Sequence, residues 1–122
     1  MKLEDMLTTK QEINSDRYEI ENNIIRGAKI AVIGHFGNIV SLVVYTDNCC
    51  IISDYNNTRN IGFIIKALVE LFDLTLEDGY IFSHIKDIPC RIICDKNSKV
   101  VGFGHFMKDK FVFTEDLMKI DS

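Results

Sequence analysis

Asn56-Asn-Thr-Arg-Asn-Ile-Gly-Phe-Ile-Ile-Lys-Ala-Leu-Val-Glu-Leu-Phe72 is the one long stretch of this chain with helical periodicity. Ile61, Ile64, Ile65, Leu68 and Phe72 recur at i, i+3, i+4, i+7 and i+11, one stripe of an α-helix. Thr58 or Asn60 suits the N-cap, since either side chain can accept a bond from the unpaired N–H groups of the first turn. Gly62 leaves that turn bare, and Arg59 stands beside it. A helix start with free N–H groups and a neighbouring cation is a resting place for phosphate. The plainer reading is a capped amphipathic helix packed on a sheet.

Outward from this helix the pattern is strand. Tyr18 onward turns β-branched, with Ile24, Ile25, Ile30, Val32 and Ile33 in one long strand reaching His35 or Phe36. Gly37-Asn38 signals a hairpin. Ile39 to Tyr45 returns with both faces apolar, as a central strand would. Asp47-Asn48 is a second turn, and Cys49 to Tyr55 a third strand leading into the helix. Beyond the helix, Thr75 to Asp78 resembles a capping box, and Tyr80 to Ile88 is ambiguous between loop and short helix. Pro89, the single proline, opens a strand to Cys94. Asp95 to Ser98 makes a hairpin loop, Lys99 to Met107 the partner strand, and Phe111 to Phe113 a last short strand before a capped turn at Thr114. The fold class is α+β: an antiparallel sheet of about five to six strands with one main helix packed across it. Residues 1–17 form a polar segment, read as a short helix or a mobile arm, and residues 18–122 a single ligand-binding domain.

At 122 residues the chain holds one real core. Apolar residues make up 47% and charged residues 26%, the range of soluble globular domains. A net charge of -4 argues against a surface built for duplex nucleic acid. Acids at Glu4 and Asp5 stand where a signal peptide would be apolar, and no segment is long enough to span a bilayer, so the expectation is a cytoplasmic protein without membrane contact. The thiols of Cys49, Cys50, Cys90 and Cys94 then stay reduced. Their spacing, with no histidine at a matching offset, favours core-filling over zinc. Neither metal nor cofactor is expected.

Strand alternation places Val101, Phe103, His105 and Met107 on one face, and Val100, Gly102, Gly104 and Phe106 on the other. Two glycines on one face make a trough open to another backbone or a flat ligand, with Phe106 at its end. Catalytic arrangements are thin: no G-x-S-x-G, Walker A or G-x-G-x-x-G motif occurs. Binding suits the residues better than turnover. Phe63, Phe82 and Phe106 offer stacking faces, and Arg59, Arg91 and Lys108 offer charge for phosphate.

The second half of the chain also resembles a family of phage and prophage proteins. The family shows a helix entered through a Gly-x-x-Ile-like step, a "Lys-Gly-x-x-x-Arg-Val" strand and a closing "Ile-Gly-His-x-x-x-Asp-x-Trp-Phe". The counterparts here are Gly62 to Ile65, Asp87 to Ile92 with Arg91, and Phe103-Gly104-His105 through Asp109 to Phe111. The family is that of the type-one Thoeris anti-defence proteins, sponges for the cyclic ADP-ribose isomers made by bacterial TIR-domain sensors. The likeness covers roughly residues 24 to 117, and its Gly-His-x-x-x-Asp block is the most specific part. Departures fall at Asp87-Ile88 for Lys-Gly, at Phe111 for Trp, and at Cys49 to Ile52 for a glycine-rich strand.

The resemblance implies a non-enzymatic protein that sequesters a cyclic ADP-ribose isomer as a homodimer or larger symmetric homo-oligomer, in an infected or lysogenic host. A cyclic oligonucleotide is a secondary candidate ligand. Carried onto this chain, the ligand-binding set is Arg59, Asn60, Phe63, Phe82, Arg91, His105, Phe106, Lys108 and Asp109. Arg91 is either a phosphate contact or part of a structural ion pair. Two other classes stay open: an enzyme hydrolysing a related nucleotide with His105 or His84 as acid–base, and a protein-binding inhibitor of a host defence complex.

Overall fold

A computed structural model describes residues 3–13, 15–33, 39–52, 55–56, 58–74 and 85–118, with only the backbone described at 30–33, 39–41, 55–56, 58–61, 63 and 118. Its frame is one antiparallel sheet, consistent with the α+β class. The sixteen-residue β1 (Tyr18–Ile33) is the spine. Its second half pairs with β2 (Ile39–Thr46), from Ile33↔Ile39 back to Ile25↔Thr46. Its first half pairs with β5 (Ile88–Asp95), from Tyr18↔Asp95 to Ile25↔Ile88. One long strand thus serves two partners in succession.

The third strand expected over 49–55 is described as β3 (Cys50–Ile52) and β4 (Tyr55–Asn56), both on β2 and in one register from Val44↔Ile52 to Ser41↔Tyr55, with residues 53–54 outside the described residues. A register shift between Val44 and Tyr45 leaves Ile51 as a bulge within β3. On the other side β6 (Val100–His105) and β7 (Phe111–Phe113) complete the order β3-β2-β1-β5-β6-β7. Pro89 is accommodated because β6 joins β5 only from Cys90 onward.

The sheet curls. Thr114 opens the short helix α3 (Thr114–Met118) just after β7, and its hydroxyl donates to the Ile51 carbonyl of β3 at 3.4 Å. The two ends of the strand order therefore meet. The concave side holds the main core: Leu42, Val44 and Ile52 from one half, Cys90, Ile92, Phe103 and Val112 from the other.

The helix read from the sequence is α2 (Thr58–Leu71). Ile64, Ala67, Leu68 and Leu71 are buried in that core, and the Phe72 ring stacks on Phe103 at 6.1 Å. Thr58 and Asn60 both lie inside the helix, and their side chains, like residue 57, lie outside the described residues. The start of α1 (Leu3–Met6) adds Leu3 and Met6 to the same core.

Face assignment along β6 departs from simple alternation. A register shift between Ile93 and Cys94 lets Val101 bulge. Val100 therefore packs with the main core, whereas Val101 joins a smaller cluster of Ile13, Ile93 and Phe111 on the opposite face. That cluster also receives Tyr18, Ile20 and Phe113. The expected elements at 34–38, 75–78 and 80–84 lie outside the described residues.

Adjacent Cys49 and Cys50 divide at the start of β3: Cys50 is exposed, and Cys49, just before the strand, packs against the core. Cys90 and Cys94 are buried on one face, and burial pushes the Cys90 thiol up to about 12. No helix among the described residues is long and apolar enough to cross a membrane.

Candidate functional site

Arg91 in β5, Gly104 in β6 and Phe111 in β7 are direct partners across two ladders. Residues in such a row share one face of the sheet. Gly104 contributes no side chain to it, and the Phe111 ring takes the vacated space. A Cβ on Gly104 would overlap that ring and meet the Lys110 carbonyl at 2.7 Å. At Gly102 a Cβ would meet the Val112 carbonyl at 2.7 Å and Ile93 at 2.9 Å. The trough expected over these glycines is thus filled by β7 and its neighbours.

The Arg91 guanidinium lies 4.5 Å from the Phe111 ring centroid. Nε donates to the His105 carbonyl at 2.9 Å, and an Nη donates to the Lys108 carbonyl at 2.8 Å. Beside the two expected readings of Arg91, phosphate contact or ion pair, the structure gives it a further task. Its planar fork holds two carbonyls of the β6–β7 loop.

His105 fastens the same loop from inside. Its Nδ1 accepts the backbone N–H groups of Met107 and Lys108, each at 3.0 Å. The neutral ring therefore carries its proton on Nε2, which lies 3.5 Å from Asp73 Oδ2. Partial burial and the nearby Lys110 cation hold the His105 pKa below its usual value, outweighing the pull of Asp73.

Asp73 is the point on which the loop's cations converge. It follows α2 with φ of 54°, the left-handed residue of a helix C-terminus whose Leu74 N–H reaches back to the Val69 carbonyl at 3.0 Å. Lys108 Nζ lies 2.5 Å from Asp73 Oδ2, and Lys110 Nζ lies 3.5 Å from Oδ1. The Lys108 hydrogen bond keeps the Asp73 carboxyl below the ordinary range. Lys110 Nζ also donates to the Glu70 carbonyl at 3.1 Å, a cation at the negative end of the helix. Asp109 turns the other way and accepts the Lys10 N–H at 2.7 Å.

The chain therefore gathers Arg91, His105, Phe106, Lys108 and Asp109 at one loop. Phe106 and its neighbour Met107 are exposed at its tip, Met107 by 80%. Arg59, Asn60 and Phe63 sit in the first turns of α2, and their side chains, like all of Phe82, lie outside the described residues. From Asn60 to Asp73 the helix advances by about 20 Å at about 1.5 Å per residue. Within one copy the two groups stand at opposite ends of α2.

Sequence reasoning missed Asp73 and Lys110, which join the loop to the helix. An acid directly after a helical run, at a position tolerant of left-handed backbone, was the available signal. It also missed Arg26, at the register shift in β1, which bridges Asp47 and Asp87 at 3.0 Å each and ties together the turns flanking β2 and β5.

Among the described residues no group of three His, Cys, Asp or Glu side chains is placed to hold a metal. Comparison with protein-family models, with curated proteins and with solved structures gives no match, so the likeness to the Thoeris anti-defence family rests on the residues quoted for it.

Proposed function

We propose that this protein binds a cyclic ADP-ribose isomer and keeps it intact, acting as a phage or prophage anti-defence sponge in the cytoplasm of an infected or lysogenic bacterium. The ligand class comes from the sequence resemblance. The observation that favours retention over turnover is the state of His105. Its Nδ1 lone pair is committed to two backbone N–H groups and its Nε2–H faces Asp73, so this imidazole has no free base to offer a substrate.

A sponge that competes with a receptor needs nanomolar affinity, about -12 kcal/mol. A ligand of roughly 35 heavy atoms at about 0.3 kcal/mol each yields about 10 kcal/mol. Such a ligand must be almost wholly enclosed. The core is filled by Leu42, Ile64, Leu68, Phe103 and their neighbours, which leaves enclosure to a second copy. With candidate residues at opposite ends of α2, two copies bring the helix start of one against the loop of the other.

The test is incubation of purified protein with a cyclic ADP-ribose isomer, desalting, and heat release. Intact ligand recovered near one per binding site supports the sponge. Product in excess of protein identifies an enzyme, and no retained ligand with no thermal shift leaves the protein-binding inhibitor as the reading.

A further inference from the structure

A second feature lies on the face of the sheet away from the main core, where β1 begins and β5 ends. Arg17, Tyr18, Asp95, Lys96, Asn97 and Val101 line a depression of about 290 Å³. Its size is at the lower limit of small-molecule sites, on the order of 300 Å³.

The walls are positioned by regular structure. Tyr18 pairs with Asp95 at the end of the β1–β5 ladder. The Tyr18 ring is steadied by Phe113, 5.4 Å away and tilted by 58°. Arg17 stands 5.9 Å from the Tyr18 centroid, so a cation and an aromatic ring border the same space. Val101 is there because of the β6 bulge, which turns it away from the main core.

The overhanging turn is rigid. Asp95 Oδ1 accepts the N–H groups of Asn97 and Lys99, each at 2.9 Å, and the Asp95 N–H donates to the Lys99 carbonyl at 2.9 Å. Ser98 adopts φ of 62° to close it. The one carboxylate of the depression thus serves its own turn. Arg17 and Lys96, by contrast, form no salt bridge among the described residues. The lining carries two cations against this one carboxylate, and with a tyrosine ring, an amide and a valine methyl surface these are the parts that hold a phosphate joined to a flat ring.

We infer that this depression is a binding site for a nucleoside monophosphate, with phosphate between Arg17 and Lys96 and the base against Tyr18 and Val101. It shares no residue with the β6–β7 loop, and it does not rest on the reading given above.

The test is titration of the full chain with AMP, adenosine or inorganic phosphate, followed by amide chemical shifts. AMP is expected to saturate with Kd on the order of 0.1–1 mM for so open a site. Shifts should centre on Tyr18, Lys96, Asn97 and Val101. Adenosine should bind at least about tenfold more weakly, losing the charge-assisted bonds. The double variant Arg17→Gln, Lys96→Gln should weaken AMP by at least about tenfold while its far-UV circular dichroism stays that of the parent. No saturable shift with about 5 mM AMP, shifts centred elsewhere, or a double variant that binds as the parent does would each overturn the assignment.

Discussion

Replacing either of two glycines by alanine should move stability in opposite directions. At Gly104 the new methyl overlaps the Phe111 ring and meets the Lys110 carbonyl at 2.7 Å. Phe111 is fully buried and carries the Arg91 guanidinium on its face, so the ring cannot yield without disturbing that stack. Forcing a methyl into packed space costs about 1–3 kcal/mol, and loss of the stack adds about 0.5–1 kcal/mol. Stiffening the unfolded chain returns about 0.5–1 kcal/mol. The net expectation is a loss of about 2 kcal/mol, or roughly 8 °C in Tm for a domain of this size. Gly62 in α2 has nothing within 4 Å of an added Cβ. There alanine gains about 0.8–1 kcal/mol of helix propensity, roughly 3–4 °C. Urea unfolding followed by circular dichroism reads both as shifts in midpoint at constant m. Gly104→Ala at or above parental stability would refute the account of the Arg91–Gly104–Phe111 row.

Ser98→Gly should stabilise the fold by up to about 1 kcal/mol, because Ser98 bears the strain of φ 62° in the β5–β6 turn; a raised urea midpoint is the check. Arg91→Lys should lose about 1–2 kcal/mol, since an ammonium cannot hold the His105 and Lys108 carbonyls in one plane; faster amide exchange across residues 105–110 would accompany the lowered midpoint. His105 should titrate by NMR below its ordinary value of about 6.5. Its folded pKa being depressed, its contribution to stability is whole above about pH 6.5 and declines as pH falls toward the folded value, because the unfolded chain takes the proton first. A His105 midpoint at or above 6.5 would contradict the neutral, doubly accepting ring.

Much of the scaffold was legible because its signals are local. The stripe Ile61 to Phe72 and the β-branched run in β1 each report a single element's periodicity. What escaped the sequence is where elements influence one another. The bulge at Ile51 depends on how β2 and β3 shift register at Val44. Val101 changes face through a bulge that no residue in β6 announces. Gly102 and Gly104 suggest an open trough because the sequence shows only the missing side chains. Its occupant, however, is Phe111 from the next strand, a long-range fact. In the candidate site the Gly-His-x-x-x-Asp block is the most specific part of the family likeness, and each of its members has a task in the loop itself. Gly104 admits the ring, His105 gathers two N–H groups, and Asp109 takes the N-terminal backbone. A distinctive pattern can be required by a turn as strictly as by a ligand.

The sheet's margins bear on how copies of the protein can join. At one end Thr8 exchanges two backbone hydrogen bonds with Phe111, at 2.8 and 2.9 Å, so the arm of the chain hems β7. At the other end the Thr114 hydroxyl occupies the Ile51 carbonyl of β3. Each threonine stands where an added strand would dock. Extension of the sheet from molecule to molecule is thereby discouraged at both of these positions.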